Sequence, residues 1–223
     1  MKKNEKTENL NPERKKSVFR EYLEAIIIAL VLALFIRSFI IQAFKIPSGS
    51  MEDTLQVGDH ILVSKFSYGI KIPNKIPFLN VKIFRDIRFF EKMPKRGDII
   101  VFEFPRDEKR DFIKRVIGLP GDVLEIKEQT VYINGKPIKE KYAIHREPYR
   151  EDRALYPRDN YGPVVIPYRA LFMMGDNREN SQDSRYWNFL DIDRIKGKAF
   201  IIYWSWDSIG FNVRWNRFSK LIK

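Results

Sequence analysis

The chain has 223 residues, 44% of them hydrophobic and 31% charged, a globular composition with room for one sizeable domain and an anchor. It has no cysteine, which excludes disulfides, a cysteine nucleophile and thiolate metal sites; its two histidines, His60 and His145, have no neighbours at ligand or triad spacing. A net charge of +12, from 41 basic and 29 acidic residues, suits nucleic acid and anionic lipid equally, so residue order has to decide between them.

Residues 1–20 are polar and basic, with seven Lys or Arg against three Glu. Ala25–Ile36 (AIIIALVLALFI) follows without a polar residue, and apolar character continues to Phe44. The twelve-residue core alone reaches about 18 Å as a helix, short of the roughly 30 Å of a bilayer core. Extended over residues 21–42, with Arg37 snorkelling at the outer interface, it is long enough to span. A cleaved signal peptide is a competing reading, but no small-x-small site follows the core; a buried soluble helix is another, but the segment is apolar all round. Seven basic residues before the segment, against Lys45 close after it, place the N-terminus in the cytoplasm and residues 43–223 outside.

Beyond Phe44 the pattern turns to short alternating or β-branched runs: His60–Phe66, Asp98–Phe104, Phe112–Leu119, Asp122–Lys127, Thr130–Ile138, Ala170–Gly175 and Lys198–Trp206. Turn signals separate them, and Asn134-Gly135 predicts a type I′ hairpin. The expected fold is a mostly-β, antiparallel domain. Ile70–Pro77 and Glu140–Pro167 read as loops, the second as an insertion or cap on the sheet.

Three polar blocks stand out. Ile46–Leu55 (IPSGSMEDTL) directly follows the anchor; PSGS alone reads as a surface turn. Ser50 nevertheless lies six residues beyond Phe44, at most about 20 Å of extended chain, so chemistry there would occur at the bilayer surface. A serine needs a base. Lys114, in Arg110–Asp122 (RDFIKRVIGLPGD), shares a strand face with Phe112 and Val116, while Arg115 points the other way. Such a lysine is ordinarily a snorkelling edge residue. Buried, it is a desolvated amine: free lysine is neutral in only about one molecule in 2,500 at pH 7, and burial lowers its pKa. Gly175–Trp187 (GDNRENSQDSRYW) reads either as a polar loop or as hydroxyls and an ion pair that hold the amine in place.

Pro47–Met51, Gly58–Gly69, Arg96–Phe102, Asp111–Asp122 and Gly175–Arg185 together resemble, in order, the blocks of the type I (leader) signal peptidases. These are serine–lysine membrane endopeptidases that remove signal peptides from exported preproteins. The resemblance implies Ser50 as nucleophile, Lys114 as general base and Ser48 as oxyanion-hole donor. It further implies Ser181 as the serine that holds the lysine amine, Asp183 and Arg185 as a supporting ion pair, and Phe44, Ile46, Met51, Leu55 and Ile113 as the lining of shallow substrate pockets. It implies a coiled, barrel-like antiparallel body with a small inserted β region over about residues 125–171, no metal or cofactor, preprotein signal peptides and the lipid bilayer as partners, no nucleic acid, and residence in the cell membrane. The oligomeric state is not legible. Two departures occur: Asp53 stands where the family often has Pro, and Phe112 where Tyr is frequent.

The C-terminal run Phe200–Lys220 reads as a core strand and basic tail, or else as a membrane-interface belt of Trp204, Trp206, Phe211 and Trp215. Self-cleaving repressors share the Ser–Lys chemistry but carry a DNA-binding domain in place of the anchor. A tethered, non-catalytic β domain that binds anionic lipid or nucleic acid is the alternative from another class; no RNA-binding aromatic motif or helix-turn-helix spacing supports it.

Overall fold

The computed structural model describes residues 18–71, 88–149 and 157–223. The basic segment before Val18, most of the expected Ile70–Pro77 loop and part of the Glu140–Pro167 segment lie outside the described residues.

Helix α1 (Val18–Phe39) has 22 residues, none buried, so it projects from the body. At 1.5 Å per residue it reaches about 33 Å, enough to cross a bilayer core. It ends at Phe39, before the expected residue 42, because Ile41 and Gln42 pair with Ser64 and Val63 as the start of β1. The end of the apolar run is thus a strand, drawn out of the helix by sheet hydrogen bonds.

The body is antiparallel. The strands are β1 (Ile41–Lys45), β2 (Asp59–Ser64), β3 (Ile70–Lys71), β4 (Arg88–Phe89), β5 (Ile99–Phe104), β6 (Asp107–Gly118), β7 (Val123–Lys127), β8 (Thr130–Ile133) and β9 (Lys136–Pro137). They continue with β10 (Tyr161–Val165), β11 (Ala170–Met174), β12 (Leu190–Asp191), β13 (Ile195–Asp207), β14 (Asn212–Val213) and β15 (Lys220–Leu221). The large sheet runs β1-β2-β13-β5-β6-β11-β12, with β14 and β15 pairing to β13. Its ends do not pair, so it is an open path and not the closed ring that a barrel requires. A second sheet, β10-β7-β8-β9, lies between β6 and β11 in sequence. Its Asn134-Gly135 corner has φ of 52° and 78°, the left-handed pair of a type I′ turn. Strand β10 falls within the stretch that reads as a loop; its Gly162-Pro163 interruption hides the alternation.

The β5 sequence IIVFEF is a near-continuous apolar run because both of its faces are covered. Ile99 and Val101 enter a core with Ile46, Met51, Leu55 and Ile61, while Ile100, Phe102 and Phe104 enter another with Leu171, Met173 and Trp187. Each fully buried side chain of this size contributes about 1.5–3 kcal/mol. A third core, with Leu124, Ile126 and Val131 of the small sheet against Phe172 and Met174 of β11, joins the two sheets.

The C-terminal turn braces the segment that follows Ser50. Arg217 donates Nε and Nη2 to the Asp59 carboxylate at 2.9 and 2.5 Å, and Nη2 to the Thr54 carbonyl at 2.9 Å. Both partners of this ion pair are buried.

Candidate active site

Ser50 is the middle residue of a one-turn 3₁₀ helix, Gly49–Met51. Two apolar pins hold the turn: Met51 and Leu55 are fully buried, and Leu55 N donates to Met51 O at 2.7 Å. On its other side Asn177 donates its backbone N–H to Ser50 O and its side-chain Nδ2 to Gly49 O, both at 3.2 Å. Gly175 packs so close that a Cβ there would collide with the Ser50 carbonyl and the Ser181 hydroxyl. In the first turn of a helix the Ser50 N–H has no intrahelical acceptor. Ser48, just before it, is extended and exposed, and its hydroxyl makes no capping bond. Ser48 and Ser50 line the same cleft.

Lys114 projects from β6 to place Nζ 2.7 Å from Ser50 Oγ, and Nζ also donates to Ile113 O at 3.1 Å. The Phe112 ring lies 5.3 Å from the amine. Only 4% of Lys114 is exposed. Burial pulls its pKa from 10.5 down to about 8, against the raising pull of Asp183 and Asp176 and with a further lowering by Arg185. At pH 7 about one molecule in ten then carries a neutral amine.

Each nearby carboxylate is already engaged. Asp183 accepts Arg185 Nε and Nη2 at 2.8 and 2.9 Å, with Gly175 N at 3.1 Å. Burial alone would raise the Asp183 carboxyl, but the Arg185 guanidinium outweighs it and holds the pKa below the ordinary range. Asp176 receives a bidentate pair from Arg115, 2.8 and 2.7 Å, and the Thr54 hydroxyl at 2.6 Å. Tyr142, from the insertion, stacks on the Arg115 guanidinium at 3.9 Å. Arg115, Asp176, Asn177, Thr54 and Tyr142 are the components that sequence reasoning missed. Arg115 and Asp176 stood inside the conspicuous blocks, but nothing local shows that they meet across 61 positions.

A cleft of about 440 Å³ opens at the pair, with Pro47, Ser48 and Ser50 on one wall and Phe112, Ile113 and Lys114 on the other. Of the five residues expected to line pockets, Ile113 reaches it. Ile46, Met51 and Leu55 lie in the core below, and Phe44 packs against that core. The described residues place Ser181 buried close to the Ser50 carbonyl, with no hydrogen bond to Lys114. It lies near enough to Asp183 to help keep that carboxyl ionised. Among the described residues no group of three His, Asp or Glu is placed to hold a metal ion.

A family model described as signal peptidase, peptidase S26, matches residues 19–204. Signal peptidase I of Pseudomonas aeruginosa is 38% identical over 86% of this chain and 75% of its own length. Probable signal peptidase I-2 of Synechocystis is 35% identical over 92% and 85%. Signal peptidase I of Bacillus licheniformis is 34% identical over 91% and 97%.

A buried amine with a lowered pKa makes a stability prediction. The unfolded chain binds the Lys114 proton more tightly, so the cost of burying it is full below about pH 8 and fades as pH rises from there towards 10.5. Lys114→Met should raise unfolding stability at pH 6–7 by up to roughly 3 kcal/mol. That gain should shrink above pH 8, measured by denaturant unfolding in detergent across pH. A gain that does not vary with pH would contradict the buried-amine description.

Proposed function

Because the chain belongs to the signal peptidase, peptidase S26, family, we propose that Ser50 and Lys114 are the nucleophile and general base with which it cleaves signal peptides from preproteins. The enzyme is a membrane-anchored serine endopeptidase. The observation that carries the assignment is the 2.7 Å separation of Ser50 Oγ and Lys114 Nζ, both in buried residues.

Neutral Lys114 accepts the Ser50 hydroxyl proton as Oγ attacks the scissile carbonyl. The developing oxyanion is held by the Ser50 N–H and the Ser48 hydroxyl. The Lys114 ammonium then gives its proton to the leaving amine, which departs with the mature chain. An ester between Ser50 and the signal peptide remains; Lys114 next takes a proton from water, which hydrolyses it. Asp183–Arg185 and Asp176–Arg115 fix the walls around the amine, and Ser181, packed against Gly175, supports the Asp183 carboxylate.

The peptide has a seat. Strand β6 pairs with β5 along Asp111–Arg115, but with β11 only from Arg115 onward. Its Phe112–Lys114 stretch thus keeps one open edge, facing Pro47–Ser50 across the cleft. An extended peptide can add there as a strand, its backbone supplying affinity and its side chains facing alternate walls. Small side chains at the cut suit so shallow a space.

The basic residues before α1 put the N-terminus in the cytoplasm and the catalytic body on the outer face of the cell membrane. A second contact with lipid is supported by the C-terminal run, where Ile209, Phe211 and Trp215 are 91%, 79% and 71% exposed. Trp204, half-buried, packs edge-on against Trp215 at 6.1 Å.

Two measurements test these readings. Ser50→Ala and Lys114→Ala should each abolish preprotein processing, and Ser48→Ala should lower kcat about 10²–10³-fold. The wild-type kcat/KM should climb as pH rises through about 8, where the amine loses its proton. Normal processing by either alanine variant of the pair would end the assignment. Separately, changing Ile209, Phe211 and Trp215 together to Ser should weaken vesicle binding of protein lacking α1, in a flotation assay; undiminished binding would remove the C-terminal run from the membrane contact.

A further inference from the structure

The join between the anchor and the sheet is short and closed. Only Ile40 separates α1, ending at Phe39, from β1, starting at Ile41. Ile40 N still donates to Ile36 O at 2.8 Å, in helical fashion, while Ile40 O already accepts Lys65 N at 2.9 Å. The last carbonyls of a helix have no intrahelical donors. Here Lys65 supplies them: its Nζ donates to Arg37 O at 3.0 Å and to Ser38 O at 3.2 Å. One residue therefore binds three of the four positions Arg37 to Ile40, through side chain and main chain together. Among the described residues the charges that act on the amine are the cations Lys196 and Arg37. A cation is also the charge that a helix C-terminus favours.

Lys65 itself is anchored in the sheet. It directly follows β2, whose residues His60–Ser64 pair with β1 on one side and whose Asp59–Ser64 pair with β13 on the other. Past β1, Ile46 N donates to Asp59 O at 2.8 Å and Gly58 N to Ile46 O at 3.0 Å, which carries the same rigid strand to within four residues of Ser50. From the end of the anchor to Ile46 the backbone is held by sheet hydrogen bonds.

We propose that Lys65 is a positioning residue that locks the anchor helix to the catalytic sheet, and so sets the height and tilt of the Ser50 cleft for substrates held in the same bilayer. This rests on reading α1 as the membrane anchor and Ser50–Lys114 as the reacting pair. A preprotein whose apolar segment is embedded in the membrane presents its cleavage site at a fixed depth. A rigid join then keeps the cleft at that depth, as an orientation effect, while a peptide free in solution can find the cleft at any tilt.

The test uses the full chain in lipid vesicles and two substrates with the same cleavage sequence. One is a preprotein inserted in the same membrane, the other a short soluble peptide. Lys65→Met should lower processing of the embedded preprotein about tenfold or more, while peptide cleavage stays within about twofold of wild type. Lys65→Arg, which keeps the donors, should process both. Two glycines inserted between Phe39 and Ile40 leave Lys65 and the sheet intact but free the join, and should give the same selective loss; this variant decides the matter if Lys65→Met does not fold. Equal loss on both substrates would make Lys65 a general support of the fold, and full processing of the embedded preprotein by the glycine variant would make the join irrelevant. Either result overturns the proposal. Failure of the wild type on the soluble peptide would instead count against the Ser50–Lys114 assignment.

Discussion

An amine buried beside a serine hydroxyl, with its pKa lowered to about 8, depends on every charge around it. Desolvation lowers the pKa of Lys114, but a free carboxylate in contact would restore it. Two carboxylates, Asp176 and Asp183, are close enough to raise it. Each is bound by a buried arginine, Arg115 and Arg185 respectively. Arg185 adds a lowering pull of its own, burial prevails, and the amine settles at about 8. Removing one member of such a buried pair leaves an uncompensated charge, typically at a cost of about 3–5 kcal/mol. The pairs thus support the fold and, in the proposed mechanism, the chemistry together.

The body can be read as the apparatus that holds this balance. Lys114 sits where β6 leaves β11 and has β5 alone as a partner, so it is rigid on one side and open to the cleft on the other. Ser50 is brought to it by a turn whose neighbours Met51 and Leu55 are core residues. The insertion contributes too: Tyr142 stacks on Arg115, and Glu140 pairs with buried Arg178 at 2.6 Å. A region that looks like a cap in sequence is a wall of the site's electrostatic enclosure.

Much of this was legible in the sequence, for identifiable reasons. The seven β-branched runs became strands because alternation is a local signal, and Asn134-Gly135 formed its turn because its two residues tolerate positive φ. Strand β1 was not legible: IQAFK continues an apolar run, and only pairing with β2 distinguishes it from helix. Strand β10 was masked by its Gly-Pro. In the site, Ser50 and Lys114 emerged from chemistry and order, but the Arg115–Asp176 pair and the clasp of Asn177 on the Ser50 turn depend on contacts more than sixty positions apart. Met51 and Leu55 are apolar and near the serine, but they support it from within the core.

The central claim is that Lys114 is a largely desolvated amine poised close to neutral pH. The direct measurement is an NMR titration of the lysine side-chain Cε and Nζ signals in detergent-solubilised protein, with Lys114 assigned by its loss in Lys114→Met. A single titration near pH 8 is the expected result. A Lys114 signal that stays in the ammonium form until about pH 10.5, the behaviour of an exposed lysine, would contradict the account.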